Sequence, residues 1–80
     1  MKATILVRPK PGILDPQGEA VQSSLRQLGF TVDEARVGRV IDLELDASDA
    51  EAARAELERA CEQLLANPLI ESYEISVTDA

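Results

Sequence analysis

No histidine occurs anywhere in the 80 residues. That single absence removes Ser-His-Asp and Cys-His arrangements, histidine metal sites and imidazole acid–base work. Cysteine is reduced to Cys61, which permits no internal disulfide and forms no metal pair. It falls on the apolar face of an expected helix and reads as buried filler rather than a reactive thiol. Phe30 and Tyr73 are the only aromatics, so the core must be built from Leu, Ile, Val and Ala. Glycine is too sparse for a phosphate-binding loop: Val37-Gly38-Arg39-Val40 carries one glycine and cannot cradle a polyphosphate. No run approaches the length of a membrane span, and Met1–Arg8 is too short for a signal peptide. A cytoplasmic protein is expected.

Basic residues are also scarce, and unevenly placed. The formal net charge of −7 argues against nucleic acid, which needs a basic footprint and usually aromatics for stacking. Residues 1–40 hold six basic groups (Lys2, Arg8, Lys10, Arg26, Arg36, Arg39) against four acidic ones; residues 41–80 hold two against eleven. The halves complement each other, which suits self-association or an outside partner, although a solvated acidic helix explains much of the asymmetry. At 45% hydrophobic and 29% charged, the composition is that of an ordinary globule. Eighty residues make one thin domain, 1–80. A chain of this size buries only about 60% of its unfolded surface, so a partner or a second copy is expected.

The chain is organised around Ala35–Asp46. Ile41, Leu43 and Leu45 alternate with Asp42, Glu44 and Asp46, the period of a strand with one buried and one wet face. Carboxylates alternating on a wet face read as solvated rather than as a metal or catalytic pair. Arg39 breaks the pattern beside Gly38, where a bulge, bend or turn is cheapest. Before this stretch, Lys2–Arg8 alternates as a strand and Pro9-Lys10-Pro11-Gly12 ends it. Asp15-Pro16 then opens a helix, with an Asx cap and proline at the first helical position. Val21, Leu25 and Leu28 form its apolar stripe, and Gly29 stands where a left-handed C-terminal cap belongs, with Phe30 folding back on Leu25. Gly18, inside the first turn, costs about 1 kcal/mol relative to alanine. It marks either close approach by another backbone or tolerance near a frayed end.

Beyond the central stretch, Ser48-Asp49-Ala50-Glu51 reads as a capping box. The helix it opens runs to about Ala66, with Ala53, Leu57, Ala60, Cys61 and Leu64 as its buried stripe. Asn67-Pro68 stops it, and Leu69–Thr78 closes the chain as a strand with Tyr73, Ile75 and Val77 inward. The order strand–helix–strand–helix–strand is that of an α+β, ferredoxin-like plait. A standard plait has a hairpin in its middle, and Gly38-Arg39 could serve as a two-residue turn with glycine first. The alternative is one unbroken strand of about twelve residues, near 40 Å at ~3.3 Å per residue, whose bare edge a second copy would cover. Pairing centred near Val40 would bring Arg36 and Arg39 of one copy near Asp42, Glu44 and Asp46 of the other. The dimer is the preferred reading.

Particular runs carry a family resemblance. Val7-Arg8-Pro9-Lys10-Pro11-Gly12-Ile13-Leu14-Asp15-Pro16-Gln17-Gly18 resembles the opening of PurS, the small subunit of phosphoribosylformylglycinamidine (FGAM) synthase. Leu28-Gly29-Phe30, Arg36-Val37-Gly38-Arg39 and Cys61–Glu71 with Tyr73 resemble later parts of the same family, so the likeness spans essentially the whole chain. The resemblance implies a homodimer or dimer of dimers that bridges a large synthetase subunit (PurL) and a glutaminase subunit (PurQ). That complex is a ligase of de novo purine synthesis, converting formylglycinamide ribonucleotide to the amidine with ATP and the amide nitrogen of glutamine. The small subunit would secure ammonia transfer while supplying no catalytic residue and binding no cofactor; ATP and magnesium would belong to the synthetase. Carried onto this chain, the interface candidates are Lys10, Asp15, Gly18, Arg36, Gly38 and Arg39. The bland alternative for the Lys10–Gly18 loop is a plain strand-to-helix connection. A small-molecule-binding regulatory plait dimer is the rival function, and a stand-alone plait enzyme is disfavoured by the missing histidine.

Overall fold

A computed structural model describes residues 1–78. Strand β1 spans Lys2–Pro9, helix α1 Pro16–Gln27, strand β2 Arg39–Glu44, helix α2 Ala50–Ala60 and strand β3 Glu71–Thr78. The three strands form one antiparallel sheet in the order β2-β1-β3. Ile5 of β1 lies opposite Ile41 on one side and Ile75 on the other. With this register the alternating apolar residues of all three strands share one face. Ala3, Ile5 and Val7 are buried there against Leu57, Cys61 and Ala66, with Ile41, Leu43, Tyr73, Ile75 and Val77 packed around them. Full burial of side chains such as Ile5, Val7 and Leu57 stabilises by about 1.5–3 kcal/mol each.

The helices obey their caps, with two shifts. Asp15 caps α1 by accepting the Gly18 N–H, and Pro16 fills the first helical position. At the other end Gly29 adopts φ +95°, and Gly29 and Phe30 donate to the Arg26 and Leu25 carbonyls, the expected left-handed close. The Phe30 ring stays 60% exposed. Helix α2 is capped by Asp49, which accepts from Glu51, and not by Ser48 as the capping-box reading expected. Asp49 itself has extended backbone angles, which is what a cap residue needs. The helix does not run evenly to Ala66: its last turn, Cys61–Leu65, widens to π spacing, with Ala66 donating back to Cys61. That turn keeps Cys61 and Ala66 in the core and leaves Leu64 exposed.

The expected twelve-residue strand Ala35–Asp46 is half that length. Pairing with β1 begins at Arg39 opposite Val7 and continues past Glu44 through the Leu45 N–H to the Met1 carbonyl. Residues 30–38 instead run back along α1. Arg26 donates to the carbonyls of Val32 and Asp33, Gln22 accepts from the Ala35 N–H, and Asp15 accepts from the Val37 N–H. The α1 side chains thus take over backbone groups that a strand partner would otherwise satisfy. Strand β3 likewise begins at Glu71 rather than Leu69, because Ile70 and Glu71 donate into a turn at Asn67.

Candidate functional site

All six interface candidates meet at one end of the sheet, where β1 ends and β2 and β3 begin. After β1 the chain turns at Pro11-Gly12, where the Ile13 N–H donates to the Lys10 carbonyl and Gly12 takes φ +83°. The Lys10 N–H donates to the Ile70 carbonyl, and its ammonium donates to the Pro68 carbonyl at 2.6 Å. Arg36 donates from one guanidinium nitrogen to the carbonyls of Pro9 and Lys10, so the strap beside α1, residues 30–38, is stitched to the end of β1. Arg39 forks onto the Glu71 carboxylate, at 2.7 Å for its closer bond, and also donates to the Leu65 carbonyl. Glu71 in turn accepts the Asn67 N–H. Two bonds of the Arg–carboxylate fork fix orientation as well as distance.

Asp15 is the knot of the junction. One carboxylate oxygen accepts from Gly18 and the other from Val37 at 2.8 Å, so one side chain caps α1 and binds the strap. The Val37 and Gly18 N–H groups, with Arg36 nearby, hold this carboxyl below its ordinary 3.8. Arg39 and the Asn67 N–H lower Glu71 from its ordinary 4.5. Both glycines of the candidate set are close-approach positions. A methyl group on Gly18 would meet the Asp15 carboxylate and the Ala35 carbonyl, and one on Gly38 would overlap the Val7 carbonyl. The reading of Gly18 as close approach is therefore the correct one of its two alternatives. An open groove of about 490 Å³ runs along this end, with Val7, Pro11, Arg36, Gly38 and Arg39 among its walls.

Glu71 and the Asn67–Ile70 turn belong to the junction, although the sequence marks Asn67-Pro68 as a helix stop and Asn67–Glu71 as part of the family resemblance, without making them interface candidates. The available signal was the acidic residue that opens the last strand, opposite in charge to the arginine that breaks the alternation of the middle one. Cys61 takes no part. It is fully buried, and burial, together with Glu62 and Glu58, pushes its thiol up. Among the described residues, no group of three or more Cys, Asp or Glu comes together to hold a metal, and no helix is long and apolar enough to cross a membrane.

A three-stranded antiparallel sheet in β-α-β-α-β order, its end tied together by the Arg39–Glu71 fork and the close-approach glycines 18 and 38, defines a plait-type module. Comparison with known proteins gives the family. The model of PurS, phosphoribosylformylglycinamidine (FGAM) synthase, matches residues 2–79. The PurS subunit of that synthase from Synechocystis is 47% identical over 75 residues, covering 92% of this chain and 75% of the relative. The crystal structure of Methanocaldococcus jannaschii PurS superposes with a TM-score of 0.86 at 39% identity, covering 99% of this chain and 96% of that one. It is described as one of the subunits of formylglycinamide ribonucleotide amidotransferase in the purine biosynthetic pathway. A chain in the structure of PurLQS from Thermotoga maritima matches with a TM-score of 0.84 at 38% identity, covering 94% and 93%. The chain belongs to the PurS family, the PurS subunit of FGAM synthase.

Proposed function

We propose that this chain is the non-catalytic subunit that joins a PurL-type synthetase to a PurQ-type glutaminase in FGAM synthase. It acts there as a homodimer or dimer of dimers and supports the passage of ammonia between them. The observation that carries this reading is the near-full-length likeness to a chain of the Thermotoga PurLQS structure. The junction supports it, because a surface prefixed by Arg39–Glu71, Arg36–Lys10 and Asp15–Val37 bonds loses little entropy on docking. Lys10, Asp15, Gly18, Arg36, Gly38 and Arg39 are accordingly assigned to partner or self contact through that junction. ATP and magnesium fall to the synthetase, this chain binds no cofactor of its own, and the complex works in the cytoplasm. The relatives named above are synthase subunits, which favours this role over the small-molecule-binding dimer.

Reconstitution tests it. The chain is mixed with the synthetase and glutaminase subunits of its own organism, and amidine formation from glutamine and ATP is followed with and without it. Strong dependence and co-elution of three proteins are expected. Full activity in its absence, with no co-elution, would overturn the assignment.

A further inference from the structure

Two residues break the alternation of the first two strands. Leu6 and Val40 stand where polar side chains otherwise point, among Lys2, Thr4 and Arg8 on β1 and Asp42 and Glu44 on β2. The register sets the two directly opposite each other. They form an apolar step on the sheet face turned away from the core, and Val40 is 61% exposed there. A lone exposed aliphatic residue needs no explanation, but a cross-strand pair lining a groove is a different matter.

That groove is the one of about 490 Å³ at the junction, and its volume falls within the range of small-molecule sites, roughly 300–1,000 Å³. Besides Leu6 and Val40, its walls include Arg8, Arg36, Arg39 and Ser72, and no acidic residue lines it. In a chain of net charge −7, this is a local reversal of sign. The three arginines are not equally free. Arg39 is committed to the Glu71 fork and the Leu65 carbonyl. Arg36 uses one terminal nitrogen on the Pro9 and Lys10 carbonyls, which fixes its guanidinium, and its other terminal nitrogen has Glu34 at 3.9 Å. Arg8 meets Glu74 at 3.5 Å, with both side chains more than half exposed. Long pairs to exposed carboxylates contribute little, so both charges stay available to a better-placed anion. Ser72, opposite Arg8 on β3, adds a hydroxyl donor.

We infer that this groove binds a small phosphate monoester, with its phosphate held by Arg8 and Arg36 and its organic part lying on Leu6 and Val40. Two guanidinium groups match a phosphate charge of about −1.5 to −2 and offer it several charge-assisted N–H donors. A carboxylate carries half that charge and leaves one arginine unmatched. The apolar step favours an ester over inorganic phosphate, because only a ligand with an organic part covers it. Arg36 is already positioned by the Pro9 and Lys10 carbonyls, so binding costs little further ordering. Such a ligand is no cofactor of the ligase reaction. It is bound in addition to the protein partners of the junction, and the inference does not rest on the assembly role.

The test is titration of the isotope-labelled full chain with phenyl phosphate, inorganic phosphate and phenol, followed by NMR. Saturable shifts at Leu6, Arg8, Arg36, Val40 and Ser72 are expected with millimolar phenyl phosphate, weaker binding with inorganic phosphate and none with phenol. No saturation, or shifts centred elsewhere, would overturn the site. Equal affinity for the two phosphates would reduce it to an adventitious ion only and overturn the inference as well. Arg8→Gln changes an exposed side chain and should weaken phenyl phosphate at least about tenfold. Val40→Ser should weaken phenyl phosphate and leave inorganic phosphate unchanged. Unaltered binding in Arg8→Gln, with the amide spectrum showing a folded chain, would remove the phosphate from this groove. Reconstituted amidine formation reads the family role separately, so either idea can fail alone.

Discussion

Gly18→Ala separates two opposing effects at a single atom. By helix propensity alone, alanine at the third position of α1 should stabilise by about 1 kcal/mol. Sterically, the new methyl group lands on the Asp15 carboxylate and the Ala35 carbonyl. The carboxylate can swing away only by abandoning Gly18 or Val37, and the Ala35 carbonyl is backbone, held in place by the Gln22 bond at the same residue. Overpacking of this kind costs ~1–3 kcal/mol. The clash should win, leaving the variant less stable by up to about 2 kcal/mol, or as much as ~10 °C in melting temperature for a domain of this size. Urea unfolding at fixed protomer concentration is the assay, because self-association makes the midpoint concentration-dependent. Gly29→Ala makes an instructive comparison: open space surrounds that glycine, so its cost comes only from φ +95°. Gly29→Asn should recover part of that loss, whereas Gly18→Asn should recover nothing. A Gly18→Ala protein more stable than its parent would refute the reasoning.

Three further outcomes are expected. Leu57→Ala empties the middle of the core under α2, where the side chain is 3% exposed, and should lower unfolding free energy by about 2–5 kcal/mol; a loss below 1 kcal/mol in urea titration would mean that the helix does not sit over β1. Folded Asp15 and Glu71 carboxyls are held below their unfolded values, so the stability they contribute is present above about pH 4–5 and is lost as pH falls through the folded values. Thermal melts from pH 7 to pH 2 should show this loss, and Asp15→Asn should flatten it; an acid limb unchanged in that variant would contradict the Asp15 knot. Arg39→Glu sets a second carboxylate against Glu71 and releases the Leu65 carbonyl, so it should loosen the Leu65–Glu71 turn and weaken dimerisation or docking at least several-fold. Unchanged sedimentation and unchanged co-elution with the two partner subunits would remove Arg39 from the interface.

Local chemistry settled much of this protein before any contact between distant residues was considered. Period-two alternation is enough to place β1, β2 and β3, because a pleated strand sends neighbours to opposite faces whatever it pairs with. Asp15-Pro16 and Gly29 mark the ends of α1 because capping involves only residues within one turn. The absence of histidine excludes whole classes of catalysis without any geometry. Non-local competition decided the rest. Whether Ala35–Gly38 would continue the strand depended on Gln22 and Asp15, two side chains elsewhere that accept the Ala35 and Val37 N–H groups. The role of Gly18 needed the position of Ala35, and the partner of Arg39 needed the turn that delivers Glu71. Above all, the sequence showed a helix with an apolar stripe and a strand with an apolar face. Only the tertiary structure showed that the two do not meet within one chain, because the backbone at Gly38 lies against Val7 without the positive φ of a hairpin turn.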